Sequence, residues 1–558
     1  MRKFPAAVCA ATVLSLLLGA CTSGGDTAAP SSAAPTTASP KQAAATPVDN
    51  DVVISYSETE PANALVPGNT TEVGGISVLG ALFRGLVEYD PTTAQPRPAV
   101  AESITTTDSK VWSIKVKPNW VFQDGSKVTA HSFVDAWNYT AYSPNLMKSA
   151  SYMANIEGFK QVNNATPDGK QPADLPPAKQ MSGLRVVDDQ NFTVTLDAPF
   201  SGFDLRLGYA AFYPMPAVFF SDRKAFEAHP VGNGPFRFVS YTKGSNLLVK
   251  RFDGYGGTRK ANIGGIDYRF YTDLDKAYAD VLADKLDFLS FTPWSATQGN
   301  KIEKDLPQTR RVTYKYLGYQ AIAFPMFDKR YASPALRQAI SMAIDRPALI
   351  KRIFNGGRTP ADGLVPPNVR GYIPNQCGEL CTYQPEKAKK LFDSVGFQGP
   401  ITLASNVDSG NQEWVEVVCE SIQRTLGHPC EFQPQKTLGE FRAALNNRTI
   451  TSVYRTAWVA GFPSIENFLN PLFRTNGASN VGQYANPKVD DLLTRADAAP
   501  STQQADALYQ EAERIALQDM QTIPIWYQSA TAAWSSRLRE VKPTLFRELD
   551  FFSVTVTK

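Results

Sequence analysis

The chain has 558 residues, 43% apolar and 20% charged, the balance of a globular protein with a sizeable core. Its 56 Lys and Arg against 53 Asp and Glu give a formal charge of only +3. That excludes the broad basic surface of a general nucleic-acid binder, and no nucleic-acid partner is expected.

The first fifty residues differ from all that follows. Arg2 and Lys3 precede an apolar run from Phe4 to Ala20, and Leu18-Gly19-Ala20-Cys21 closes it. The run is shorter than the roughly 20 residues of a membrane span and reads as an export signal over residues 1–20. Its removal leaves a formal charge of +1. From Thr22 to Asn50 the chain is mostly Thr, Ser, Ala, Pro and Gly, with no aromatic residue and Val48 the only large aliphatic one. Such a segment cannot offset its ordering entropy, so residues 21–50 read as a tether spanning roughly 30 Å.

Four cysteines lie in the body: Cys377, Cys381, Cys419 and Cys430. In an exported chain an even count reads as two disulfides, with three pairings possible. Local pairing, Cys377 with Cys381 and Cys419 with Cys430, is favoured. CxxC zinc pairs are absent, and neither a metal site nor a cofactor is expected.

In chain order, Val52–Tyr56 reads as a strand and Val73–Phe83 as a helix running into a strand from Gly85 that ends at the Asp90-Pro91 turn. Val111–Val116 alternates as a half-buried strand, Asp124-Gly125 marks a hairpin, and Thr129 caps a helix through Phe133, Ala136 and Trp137. Asn191–Leu196 is another strand. Ser333-Pro334 and Asp345-Arg346-Pro347 open helices. Ala388, Leu391, Phe392 and Val395 form a helical stripe stopped by Gly396, and Trp414–Leu426 is a further helix before Cys430-Glu431-Phe432. Alternating strands and helices without a repeat give an α/β architecture in several lobes.

No HExxH, GxSxG, GxxxxGK[ST] or GxGxxG arrangement occurs, and Pro235 denies Gly232-Asn233-Gly234 the amides of a phosphate cradle. His131, His229 and His428 stand singly near turns or caps. The residues offer an enzyme reading nothing to stand on.

Several segments in order resemble the family 5 solute-binding proteins of oligopeptide and dipeptide ABC importers: Gly85-Leu86-Val87-Glu88-Tyr89-Asp90, Pro98–Ser103, Trp112–Lys117, Phe122-Gln123-Asp124-Gly125 and Val128-Thr129-Ala130. Val231–Phe236, Leu336–Ile340 with Ala343–Arg346, Pro385–Ala388, Glu466–Leu469 and Ile523-Pro524-Ile525 extend the likeness towards the C-terminus. Leu18–Cys21 likewise resembles the bacterial lipobox, implying a lipid on Cys21 and a place on the outer face of the cytoplasmic membrane.

The resemblance implies a two-lobed periplasmic-binding-protein-like fold (type II, cluster C) with an extra subdomain and a hinge. Lobe I would take residues 51–91, 213–316 and 527–558, the subdomain 92–212 and lobe II 317–526. It implies a monomeric receptor that captures peptides in the interlobe cleft and delivers them to a permease driven by separate ATPase subunits. Its contact segments carry over to Thr59 and Glu60 after the first strand, to Trp458, Val459 and Phe462, and to Tyr527. The chain departs from the family at Gly461, where peptide binders commonly have an aspartate for the ligand's ammonium. A buried ammonium needs a carboxylate, and Glu58, Glu60 and Glu466 are the candidates. The departure leaves open a non-peptide or N-blocked solute (opine, haem, metal chelate), or a signalling lipoprotein without transport.

Overall fold

Two strands of thirteen residues each, Arg311–Ala323 and Thr522–Trp534, run antiparallel through the middle of the protein. The structure, a computed structural model, describes residues 49–165, 174–407, 410–477 and 479–557. The export signal, Cys21 and nearly all of the tether lie outside the described residues.

Among the described residues eleven strands form one sheet. Beyond Arg311–Ala323 follow Val453–Val459, Ile401–Asn406 and Cys430–Gln435. Beyond Thr522–Trp534 follow Phe288–Leu289, Val53–Glu58, Gly265–Phe270, Asn246–Arg251 and Phe236–Thr242, while the short Thr359–Pro360 pairs off this path.

The paired long strands lose register between Lys315 and Tyr319, and their side chains change partners there. Tyr314, Tyr316, Ala530, Ala532 and Trp534 belong to one apolar core, whereas Leu317, Tyr319, Ile523, Ile525 and Trp526 belong to a second. Gly318 stands at the break. A Cβ on it would come to 2.6 Å from the Trp458 carbonyl oxygen, so the neighbouring strand can approach only a glycine. Pro524 sits where the register shifts again, opposite Ala321, a bulge position at which its missing N–H costs the ladder least.

A separate four-stranded sheet, ordered Ala101–Thr106, Val111–Val116, Asn191–Thr195, Leu184–Val186, packs into the first core. Val111–Val116 buries Trp112, Ile114 and Val116 on one face, as its alternation requires. Phe192 meets Phe133 and Trp137 of the helix Ala130–Ala141 at 6.1 and 5.7 Å between ring centroids. Thr129 and Ser132 close that helix's N-terminus as a capping box.

Helices cover the second half of the sheet. Ser333 Oγ accepts from the Leu336 N–H to open Pro334–Met342, Asp345 accepts from the Ala348 N–H to open Arg346–Phe354, and Gly396, at φ 65°, ends Pro385–Val395. Cys377 is bonded to Cys381, and Cys419 of the helix Gln412–Leu426 to Cys430 of the edge strand. The strand after Gly85 is only Val87–Tyr89, and a Cβ on Gly85 would stand 2.7 Å from the Leu207 carbonyl oxygen.

Candidate functional site

Between the two cores lies a cavity of about 660 Å³, in the roughly 300–1,000 Å³ range of small-molecule sites. The end of the first strand brings Glu58 to it, and the helix Val73–Leu82 brings Ser77 and Gly80. The C-terminal tail adds Arg547 and Glu548. From the second core come Trp458, Val459 and Gly461 at the end of the strand Val453–Val459, with Asn467 beside them. Tyr316 and Gln528 line it at the break in the long strands.

Four of the residues singled out in the sequence therefore meet in one cavity: Glu58, Trp458, Val459 and Gly461. The others lie off its wall. Thr59 is exposed and donates its N–H and Oγ1 to Glu58 Oε1, at 2.8 and 3.2 Å. Glu60 Oε1 accepts from the Tyr241 hydroxyl at 2.6 Å and the Gly244 N–H at 2.8 Å, which hold its carboxyl below the usual range. Phe462 is buried beside Tyr209, and Tyr527 donates its hydroxyl to Asp362 Oδ1 at 2.6 Å. Glu466 is buried in an ion pair with Arg206. Of the three candidate acids only Glu58 faces the cavity.

At Gly461 the obstacle is steric as well as electrostatic. Its N–H donates to Asn467 Oδ1 at 3.0 Å, and a Cβ there would sit 3.0 Å from Tyr209 Cε2, across the cavity on the first core's side. The Tyr209 ring stands where a larger side chain would grow.

The cavity wall carries six arginines and four carboxylates. Glu88 is engaged by Arg97 at 2.9 Å and Asp550 by Arg259 at 2.6 Å. Burial raises the Glu58 carboxyl despite the Thr59 hydrogen bonds. Burial likewise pushes Glu548 up to about 7, Arg84 opposing and the Glu58 charge adding. Opposite them the Trp458 indole N–H is buried without an acceptor.

Glu548, Arg547, Arg84 and Tyr209 escaped sequence reasoning. The only trace was the density of aromatic and charged residues in Phe546-Arg547-Glu548-Leu549-Asp550-Phe551-Phe552. Histidine takes no part in the cavity wall: His131 Nδ1 lies 3.5 Å from Asp135, and His428 Nε2 meets the Gly399 carbonyl at 2.6 Å. Among the described residues no group of three or more His, Cys, Asp or Glu is placed to hold a metal ion, and no helix is long and apolar enough to cross a membrane.

Residues 95–480 match the description "Bacterial extracellular solute-binding proteins, family 5 Middle". The chain is 25% identical over 488 residues to the periplasmic murein peptide-binding protein MppA of Escherichia coli K12, covering 85% of this chain and 87% of that one. It is 26% identical over 494 residues to the probable deoxycholate-binding periplasmic protein YgiS of the same organism, covering 87% and 90%. Haemophilus influenzae OppA, solved in complex with the peptide RPPGFSPFR, superposes with a TM-score of 0.74 over 92% of this chain and 100% of that one, at 20% identity. The two-lobed α/β fold is thus shared with solved peptide-binding proteins.

Proposed function

We propose, for a chain that belongs to the bacterial extracellular solute-binding proteins of family 5, that it captures short peptides between its lobes and hands them to an ABC permease. The observation that carries this reading is the interlobe cavity itself, lined by groups of both charge signs and by an unsatisfied indole N–H. A peptide backbone offers donors, acceptors and terminal charges to such a wall. Hydrolysis of ATP falls to separate subunits; this chain binds and releases.

In this reading lobe I comprises residues 51–91, 213–316 and 527–558, the subdomain 92–212 and lobe II 317–526. The change of core between Tyr316 and Leu317 supports the central boundary. The break in register there is where closure would bend the two crossing strands. A lipid on Cys21 and the tether to Asn50 would keep a monomeric body at the outer face of the cytoplasmic membrane.

Native mass spectrometry of the mature domain tests the reading. A ladder of short peptides is expected, and a single non-peptidic mass would overturn it. That second outcome belongs to a different reading, a non-peptide or N-blocked solute, which the Tyr209 ring over Gly461 favours.

A further inference from the structure

Of the four carboxylates in the cavity wall, two have no cation. Glu88 and Asp550 hold Arg97 and Arg259. No ion pair among the described residues reaches Glu58 or Glu548, although two arginines stand near them. Arg84 is committed elsewhere: its Nη1 donates to the carbonyls of Gly80 and Phe83, and its nearest carboxylate is Glu88 at 3.8 Å. The Arg547 guanidinium lies over the rings of Phe291 and Tyr316, 4.4 and 5.3 Å from their centroids.

Glu548 lies against the helix Val73–Leu82, its Oε1 3.1 Å from where a Cβ on Gly80 would stand. Its carboxylate accepts no hydrogen bond among the described residues, although its backbone carbonyl accepts the Thr544 N–H at 2.7 Å. Beside the pair, on the same face of the first strand as Glu58, the Tyr56 hydroxyl is fully buried, has no hydrogen-bond partner and feels both negative charges. Two desolvated carboxylates facing one cavity, with an unsatisfied hydroxyl buried beside them, are costly to keep without a partner, and a cation would offset that cost.

We propose that Glu58 and Glu548 together receive the cationic group of the bound solute, on the first lobe, with the Trp458 indole N–H donating to an acceptor on the solute from the second. The assignment rests on the peptide reading, in which the cation is the α-ammonium. The pair faces Arg84, Arg547, Tyr56, Tyr268 and Tyr213, and none of these closes an ion pair with it.

The test offers the intact mature protein an equimolar mixture of two- to six-residue peptides of uncharged residues, each with a free and an N-acetylated terminus. Retained species are weighed by native mass spectrometry. Wild type should enrich the free amines by on the order of tenfold or more. E58Q and E548Q should each bring that enrichment toward unity while still retaining the acetylated forms. If E548Q does not fold, E58Q and a calorimetric measurement carry the comparison. At pH 7 wild type, with Glu548 near its midpoint, should expel roughly half a proton on taking up a free-amine peptide and none for the acetylated twin. Equal retention of both forms, or enrichment that survives both substitutions, overturns the carboxylate pair and leaves peptide capture standing. Retention of no peptide of either kind overturns both.

Discussion

Arg206 Nη2 lies 2.8 Å from Glu466 Oε1, and both side chains are more than nine-tenths buried. Arg206 comes from the short helix Phe203–Arg206, packed into the first core through Phe203. Glu466 opens the helix Ile465–Phe473, packed into the second through Ile465 and Phe468. The pair therefore ties the first core to the second. Arg206 also donates to Asn155 Oδ1 at 3.0 Å and lies 4.4 Å over the Phe200 ring, while Asn470 links Glu466 to Asp497. Asp204 of the same turn feels the charge of Arg370, which itself holds Asp506 at 3.2 Å.

Breaking a buried pair strands the partner's charge, at a cost of about 3–5 kcal/mol, and here parting the two cores returns that charge to water. R206A or E466A should shift the ligand-free protein toward a more extended form and weaken ligand binding. The radius of gyration by small-angle scattering reads the first effect and calorimetry the second. An unchanged radius in both variants would show that the pair does not hold the two cores together.

Stability should fall as pH rises from about 5 to 8. Glu513 is fully buried, accepts the N–H groups of Leu364 and Val365 at 2.8 and 3.2 Å, and is pushed up by burial to about 8. A carboxyl raised in the folded state binds more protons there than when unfolded, so its stabilising proton is lost between the unfolded pKa of about 4.3 and the folded value. Glu548, at about 7, acts in the same direction. The carboxyls that cations and hydrogen bonds move the other way, such as Asp287, which Arg537 and Ser55 hold low despite its burial, titrate below this window. Thermal melts of the ligand-free protein should show a higher Tm at pH 5 than at pH 8, and E513Q should flatten the slope by the equivalent of a few kcal/mol, about 1.4 per pKa unit removed.

Much of the fold was legible because its cues are local. The Ser333 and Asp345 caps, the Gly396 stop and the alternation of Val111–Val116 each act within a few residues. The long strand Thr522–Trp534 was not read as a strand, since Pro524 argues against one until the bulge opposite Ala321 is seen. The cavity was harder for the same reason. Glu58 and Trp458 lie on strands whose ends face it, but Thr59, one residue on, turns back to Glu58, and Glu60, two on, reaches the distant Tyr241 and Gly244. Glu548 belongs to the wall only because the tail returns to the helix Val73–Leu82. Nothing within the tail announces that.

Gly318→Ala tests how tightly the crossing is built. The added methyl would lie 2.6 Å from the Trp458 carbonyl oxygen and 3.2 Å from Val459 Cγ2, and backbone has no alternative rotamer with which to yield. A loss of about 1–3 kcal/mol is expected, the range for overpacking, measured by urea denaturation. Because the displaced strand carries Trp458 and Val459 into the cavity, ligand affinity should fall with it.

At Gly461 charge and space can be separated by two substitutions. G461A adds only a methyl, 3.0 Å from Tyr209 Cε2, a contact the ring can relieve by a few tenths of an ångström, so it should cost less than about 1.5 kcal/mol and leave binding nearly intact. G461D adds a carboxylate that must displace the ring, and the ring is itself packed 4.7 Å from Tyr152. An acid there should therefore fail to strengthen binding of free-amine peptides in the single variant. It should succeed only when Tyr209 is shortened as well, in G461D/Y209A. Calorimetry with one uncharged tripeptide, with and without N-acetylation, reads all three proteins. A gain for the free amine in G461D alone would show that the Tyr209 ring does not govern that corner of the cavity.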